Sequence, residues 1–167
     1  GNGSIGDQSN VKPLGANIAV FNYPTDVAVD ASGNLYITDS ENYQVKKLTP
    51  DGHLYRFSGG GNRGADLGSG LYKMFTCKYN LPYRCEVDRS GNLYLIDFEE
   101  GYTRLLRLDY NGNPSEIADF AGSGYGSCPF GIAVSPSQKL FVTFSAFQEA
   151  TVSSSSSSSS SSSESVG

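Results

Sequence analysis

The sequence contains few of the residues that metal-dependent and nucleophilic active sites most often use. Its 167 residues include one His, three Cys, one Met and no Trp. A single His excludes a His-rich zinc centre and argues against a Ser-His-Asp triad. We interpret His53 as a solvated turn residue, because it directly follows the turn-forming pair Asp51-Gly52.

Charged residues are also scarce, and acidic residues outnumber basic ones by 17 to 12. A net charge of −5 does not provide the basic surface that nucleic acids require, so we expect no nucleic-acid partner. There is no run of about 18 apolar residues, so we expect no membrane-spanning helix. The chain starts at Gly1 without Met or an apolar leader, and we therefore expect a processed N-terminus.

Glycine and the aromatic residues Tyr and Phe are abundant by contrast. The chain has 20 Gly, 11 Tyr and 9 Phe. Tyr and Phe favour β-strands and Gly favours turns, so this composition indicates an all-β fold.

Three segments of the chain, residues 21–39, 79–97 and 128–144, resemble one another. Their prolines and leucines recur at the same two spacings, 58 and then 47 residues: Pro24, Pro82 and Pro129, and Leu35, Leu93 and Leu140. Matching residues at both ends of a segment indicate internal repeats, and repeats of this length are typical of propellers and solenoids.

Each repeat has the pattern of antiparallel strands joined by tight turns. In the first repeat, Val27 and Val29 alternate with small or polar residues, and a turn pattern ending in Gly33-Asn34 precedes a second strand. Third strands follow at residues 44–48 and 104–108, and fourth strands at 54–57 and 116–120. Four antiparallel strands in about 40–45 residues are typical of a propeller blade. We expect equivalent buried positions for Val29, Val87 and Val134.

The first repeat resembles an NHL repeat. Its pattern from Pro24 to Leu48 is Pro-x-x-Val-Ala-Val-Asp-x-x-Gly-Asn-Leu-Tyr-Ile-x-Asp-Ser-x-Asn-x-x-Val-x-Lys-Leu. The second repeat keeps the last Asp as Asp97, whereas Phe144 replaces it in the third. The resemblance implies an all-β fold of β-propeller-like blades, each a four-stranded antiparallel sheet. About three blades are present, so the ring is incomplete or completed by assembly. The resemblance implies no particular activity.

The repeats divide the chain into six predicted parts. Residues 1–20 form an N-terminal segment between blades, 21–58 the first blade, 59–78 a long Gly-rich loop, 79–120 the second blade, 121–152 a degenerate third blade and 153–167 a Ser-rich tail.

Two further motifs match the sequence patterns of binding loops but lack the structural context of such loops. Gly59-x-Gly61-x-x-Gly64 matches a dinucleotide fingerprint but lies outside any βαβ pattern. The segment from Asp109 to Asn113 resembles the start of a calcium loop, but Pro114 stands where that loop requires Gly. We interpret the second motif as a hairpin turn, and we expect no cofactor.

Four aspartates recur in the repeats and could line one face of a propeller: Asp30, Asp39, Asp88 and Asp97. Asp39 and Asp97 are weak candidates for a metal site. We favour hydrogen bonds to backbone within each blade, and we identify no catalytic residue.

Cys77, Cys85 and Cys128 are candidates for one disulfide. Cys85 aligns with Val27 and Ile132, so it is also interpreted as a small buried apolar residue. Cys77–Cys128 is slightly favoured because both residues precede an inner strand, but the sequence leaves all three pairings open.

Several residues are candidates for glycosylation. Asn2-Gly3-Ser4 matches the N-glycosylation triplet. A polyserine run has no apolar residue to bury, and its hydroxyls could carry O-glycans that stiffen it. The O-glycan candidates are Thr151, Ser153, Ser154, Ser155, Ser156, Ser157, Ser158, Ser159, Ser160, Ser161, Ser162 and Ser163.

Together these features predict a non-enzymatic structural or interaction module outside the cell or at its surface. In this interpretation the chain is one subunit of a larger surface or filamentous assembly, with the Ser-rich tail as a stalk. Its partners would be further copies or other protein chains that complete the propeller, and possible glycans. The alternative is a fragment of an extracytoplasmic propeller enzyme, such as a lyase or hydrolase, or of a sensor domain.

Overall fold

A computed structural model describes residues 14–15, 18–60, 62–64, 68, 78–98, 103–120, 129–144 and 150–152. Within these residues the regular structure is twelve β-strands, with a turn of 3-10 helix at Ser40–Asn42. The strands are β1 (Leu14–Gly15), β2 (Pro24–Val29), β3 (Leu35–Asp39), β4 (Gln44–Leu48), β5 (His53–Ser58), β6 (Pro82–Val87), β7 (Leu93–Asp97), β8 (Arg104–Leu108), β9 (Pro114–Asp119), β10 (Pro129–Val134), β11 (Leu140–Phe144) and β12 (Ala150–Val152).

The strands form three antiparallel sheets, which we call blades 1, 2 and 3. Their strand orders are β1-β5-β4-β3-β2, β6-β7-β8-β9 and β10-β11-β12. This confirms the predicted all-β fold of antiparallel blades, and the sheets are not closed into a ring. Leu14–Gly15, within the predicted N-terminal segment, pairs with β5 as a fifth strand of blade 1.

A repeated aspartate turn joins neighbouring strands. In blade 1 the Asp30 carboxylate accepts hydrogen bonds from the backbone N–H groups of Ser32 and Asn34, and from the Asn34 side chain. Asp88 makes the same three bonds in blade 2, and so does Asp109. The segment that resembles a calcium loop is therefore a hairpin turn, as its sequence predicts.

The three blades pack face to face with their first strands side by side. β6 lies between β2 and β10. The core between blades 1 and 2 joins Ala28, Tyr36, Val45 and Phe57 to Cys85, Leu93 and Leu95. The core between blades 2 and 3 joins Ile96 and Leu105 to Leu140 and Val142. Blade 2 is thus covered on both faces, and blades 1 and 3 are each covered on one.

One burial prediction is wrong for this reason. Val87 and Val134 pack against the two cores, as their repeat positions predict. Val29, at the equivalent position of blade 1, is 60% exposed. Its side of blade 1 faces no other blade in the part of the chain that the structure describes.

Two glycines with the same backbone conformation provide a matched test of the turns. Gly91 and Gly112 have φ angles of 80° and 84°. A Cβ atom at Gly91 would meet nothing within 4 Å, whereas one at Gly112 would lie 2.3 Å from the Phe57 carbonyl oxygen. Gly91→Ala should therefore reduce the free energy of unfolding by only about 1–2 kcal/mol, because alanine is strained in the left-handed conformation. Gly112→Ala should reduce the free energy of unfolding by about 2–5 kcal/mol, because the clash of the new methyl group with Phe57 adds to the same backbone strain. Urea unfolding measures both, and equal losses would contradict this account.

Candidate functional site

The two aspartates that are weak metal candidates form buried ion pairs in separate blades. Asp39 Oδ2 lies 2.5 Å from Lys46 Nζ, and Asp97 Oδ2 lies 2.8 Å from Arg104 Nη2. All four side chains are at most 2% exposed. Each carboxylate therefore already has a cationic partner.

Each ion pair also holds the chain segment that leads into the first strand of its blade. The N–H groups of Asn22 and Asn80 donate to Oδ1 of Asp39 and Asp97, respectively. The paired cations donate to the carbonyl oxygens of Val20 and Lys78, each at 2.8 Å. Both carboxylates thus hydrogen-bond within their own blades, the arrangement that the sequence favours over a cation site.

The two cations reach the carboxylates from different places in the sheet. Asp97 pairs directly with Arg104 in the strand register, whereas Asp39 pairs with Gln44 and Lys46 lies two residues further along β4. The sequence spacing from acid to cation is nevertheless seven residues in both blades. That spacing is the signal from which the ion pairs could have been predicted. In the third repeat Phe144 takes the place of the acid.

A second polar cluster lies on the first strands of blades 1 and 2, which pack beside β10. Arg84 Nε donates to the Phe130 carbonyl oxygen of blade 3, and its Nη1 donates to the Thr25 carbonyl oxygen of blade 1, both at 3.1 Å. The guanidinium carbon lies 4.5 Å from the centre of the Tyr83 ring. Arg84 thus connects all three blades.

Two carboxylates accompany Arg84. Asp26 Oδ2 accepts a hydrogen bond from the Cys85 N–H at 3.0 Å, and its Oδ1 accepts one from the Val27 N–H. Glu86 is half-buried, and it shares a face of β6 with Arg84 because the two are two residues apart. Burial raises the pKa of the Glu86 carboxyl, and the negative charge of Asp26 raises it further. We call Asp26, Arg84 and Glu86 the inner-strand cluster.

An open groove of about 510 Å³ adjoins this cluster. Its lining includes Asp26 itself and otherwise consists largely of apolar side chains: Phe21, Pro24, Thr25, Val27 and Ile37. A cation with fixed geometry beside a carboxyl with a raised pKa can bind an anionic small molecule and transfer a proton.

The other sequence candidates do not join this cluster. His53 is exposed, with Nδ1 2.9 Å from Asp51 Oδ2. Cys85 is a buried, unbridged thiol that donates to the Tyr36 carbonyl oxygen at 3.7 Å. Cys77, Cys128, Asn2 and residues 153–163 lie outside the described residues, as does the side chain of Thr151.

Neither a metal cluster nor a membrane span is found where the structure is described. No three His, Cys, Asp or Glu side chains group there as a metal site would require. None of the helical segments within those ranges has the length and hydrophobicity needed to cross a bilayer.

Comparison with known proteins agrees with the fold. Residues 21–48 match the NHL repeat family. No curated protein matches the sequence. Inactive virginiamycin B lyase from Staphylococcus aureus with quinupristin is similar at 15% identity and a TM-score of 0.53, over 80% of this chain and 38% of that one. PQQ-bound aldose sugar dehydrogenase from Streptomyces coelicolor is similar at 16% identity and a TM-score of 0.52, over 81% and 41%.

A third similar structure is a protein of unknown function from Bacteroides thetaiotaomicron, with 25% identity and a TM-score of 0.50 over 66% of this chain and 29% of that one. The chain spans about two fifths or less of the length of these proteins.

Packed antiparallel blades with adjacent first strands define the chain as an arc of a β-propeller. Its first blade is built on an NHL repeat, as the sequence predicts.

The predicted role as a non-enzymatic subunit of a filament or surface assembly is wrong. The structures that share this fold include a lyase and a sugar dehydrogenase, and the enzyme alternative agrees better with them. The prediction relied in part on the absence of a catalytic constellation from the sequence, besides the acidic charge, the incomplete propeller and the Ser run. Arg84 and Asp26, however, come from different repeats, and only the packing of the blades brings them together.

Breaking the ion pair of blade 2 tests its structural role. Asp97→Asn leaves the buried Arg104 charge with Glu116, 3.9 Å from Nη1, as its remaining carboxylate, so we expect a loss of about 3–5 kcal/mol. The double variant Asp97→Leu, Arg104→Met should lose less, since it leaves no charge buried. Asp51→Asn, at an exposed pair, should leave the urea midpoint unchanged. A double variant less stable than Asp97→Asn would contradict this role.

Glu86 should make stability depend on pH. Because its pKa is raised in the folded state, the stability that it contributes is present below its ordinary pKa of 4.5 and is lost as pH rises through the folded value. Glu86→Gln removes this dependence, so wild type should lose stability relative to Glu86→Gln as the pH rises above 4.5. Urea unfolding as a function of pH measures the difference. The exposed control Glu41→Gln should follow wild type, and parallel curves for Glu86→Gln and wild type would contradict the prediction.

Proposed function

We propose that the chain is part of a propeller enzyme that binds an anionic small molecule at the inner-strand cluster and acts on it by acid–base chemistry. The observation that carries this proposal is the position of Arg84. Two backbone carbonyl oxygens, one from each neighbouring blade, fix its guanidinium through Nε and Nη1. Within the described residues Nη2 has no partner, so it is available to a ligand.

The chemistry of the cluster suits an anion such as a carboxylate. A guanidinium held by two carbonyl groups is preorganised, so a ligand does not have to order it on binding. A hydrogen bond between charged groups contributes about 1.5–3 kcal/mol.

Glu86 supplies the acid–base function. A carboxyl group whose pKa is raised keeps its proton to a higher pH than an ordinary Glu, which suits it to donate and then accept a proton. Glu86 and Arg84 lie on the same face of β6, so the same ligand could contact both. This pairing fits a lyase or hydrolase reaction, in which a carbonyl or carboxylate is held while a proton is transferred.

The anion site can be tested without knowing the substrate. Benzoate and its neutral analogue benzamide are titrated into the isotopically labelled chain, and backbone amide shifts are followed by NMR. Benzoate should perturb the amides near Thr25, Arg84 and Phe130, and benzamide should bind at least tenfold more weakly. Arg84→Gln should weaken benzoate binding about 10- to 100-fold, because one charged hydrogen bond is lost.

The matched control is Arg89→Gln, which removes an exposed arginine from the turn of the same blade. It should bind benzoate as wild type does. Equal binding of benzoate and benzamide, or unchanged binding by Arg84→Gln with its amide spectrum preserved, would contradict the proposed site.

A further inference from the structure

The arc ends on a mostly apolar face at blade 1. Val27 and Val29 of β2 are 56% and 60% exposed. Together with Phe21 and Ile37, which line the same groove as Val27, they form what we call the leading face. Isolated exposed apolar residues are common, but a contiguous group of them marks an interaction surface.

The repeat shows what kind of surface covers a leading face. Phe21, Val27 and Ile37 of blade 1 correspond, 58 residues later, to Tyr79, Cys85 and Leu95 of blade 2. These three side chains are at most 3% exposed. They lie in one core with Ala28, Tyr36 and Phe57 of blade 1. A leading face is therefore covered by the opposite face of a neighbouring blade.

The other end of the arc presents such an opposite face, the trailing face of blade 3. It carries Ala133 and Phe141, which pair across β10 and β11. Their equivalents in blade 1, Ala28 and Tyr36, are 7% and 2% exposed. Phe141 is 45% exposed. Its equivalent in blade 1, Tyr36, lies instead in the core between blades 1 and 2.

The trailing face of blade 3 is also less polar than its equivalents. In blade 1 the Tyr36 hydroxyl donates to Asp30 at 3.1 Å, and in blade 2 the Tyr94 hydroxyl donates to Asp88 at 3.4 Å. The third repeat has Phe141 in place of the tyrosine, and Ser135 in place of the aspartate. The phenol hydroxyl and the carboxylate are lost together, so no charged group of this pair is left to be desolvated when the face is covered. The Ser135 hydroxyl that remains accepts a hydrogen bond from the Lys139 N–H within its own turn.

We propose that a second copy of this chain completes the propeller. The trailing face of blade 3 in each copy packs on the leading face of blade 1 in the other, which creates two identical interfaces. Each interface repeats the packing of blade 1 on blade 2 within one chain. Two arcs of three blades make six, which lies within the four to eight blades of known propellers. Because the two ends close on each other, the assembly stops at a dimer.

Light scattering during gel filtration of the full chain tests the proposal. The expected mass is twice 17.8 kDa. Val27→Asp on the leading face, or Phe141→Asp on the trailing face, should raise the dissociation constant at least 100-fold, because each places a charge in both interfaces. The control is Tyr110→Asp, at a turn residue that is 73% exposed and belongs to neither face. This variant should remain dimeric, and circular dichroism should show that all three variants are folded.

Mixing the two disrupted variants distinguishes ring closure from other dimers. A pair made of one Val27→Asp chain and one Phe141→Asp chain has both changes in one interface and none in the other. The mixture should therefore re-form dimers, although each variant alone does not. A monomeric wild type, growth into larger open oligomers, disruption by only one of the two changes, or no recovery on mixing would each overturn the proposal. A monomeric wild type would indicate that further blades of a longer polypeptide cover these faces.

Discussion

The positions of the first strands depend on two buried ion pairs, Asp39–Lys46 and Asp97–Arg104. Burying a charge costs several kcal/mol unless a partner and hydrogen bonds compensate it. Here the compensation comes from the opposite charge and from the backbone of the segment that leads into each blade. This requirement fixes the lead-in segment against the middle of its sheet, and with it the place where β2 or β6 begins. The inner-strand cluster is built on those two strands.

Blade 3 has diverged in a consistent direction. It has Phe144 where the other blades have the buried acid, Phe141 where they have a tyrosine and Ser135 where they have the turn aspartate. Each change replaces a charged or hydrogen-bonded group by a less polar one. In a blade covered on both faces such changes would remove hydrogen bonds and an ion pair within the blade and would not favour any new contact. On the outer face of blade 3 the changes at Phe141 and Ser135 leave a less polar surface, which favours association with another blade.

Features that depend on neighbouring residues were predictable from the sequence, and features that depend on neighbouring blades were not. The turns at Asp30 and Asp88 and the strands around them follow from local patterns, and the structure has them where the repeats place them. The partner of Asp97 was missed because strand pairing, which differs between blades 1 and 2, decides which cation lies opposite the acid. Val29 was expected to be buried because the equivalent residues of the other repeats are. Burial depends on whether another blade packs against the residue, however, and no described blade packs against Val29. The cluster around Arg84 was missed because its members come from different repeats.

Closure of the ring and binding at the inner-strand cluster are physically connected. The two carbonyl groups that hold Arg84 belong to blades 1 and 3, so the guanidinium is positioned only while both blades keep their places beside blade 2. Blades 1 and 3 are the ones whose outer faces a second copy would cover. If both proposals hold, a dimer that restrains these two blades also preorganises Arg84, and a ligand on Arg84 in turn restrains the blades that form the dimer. The coupling is reciprocal, since both equilibria depend on the same arrangement of three blades.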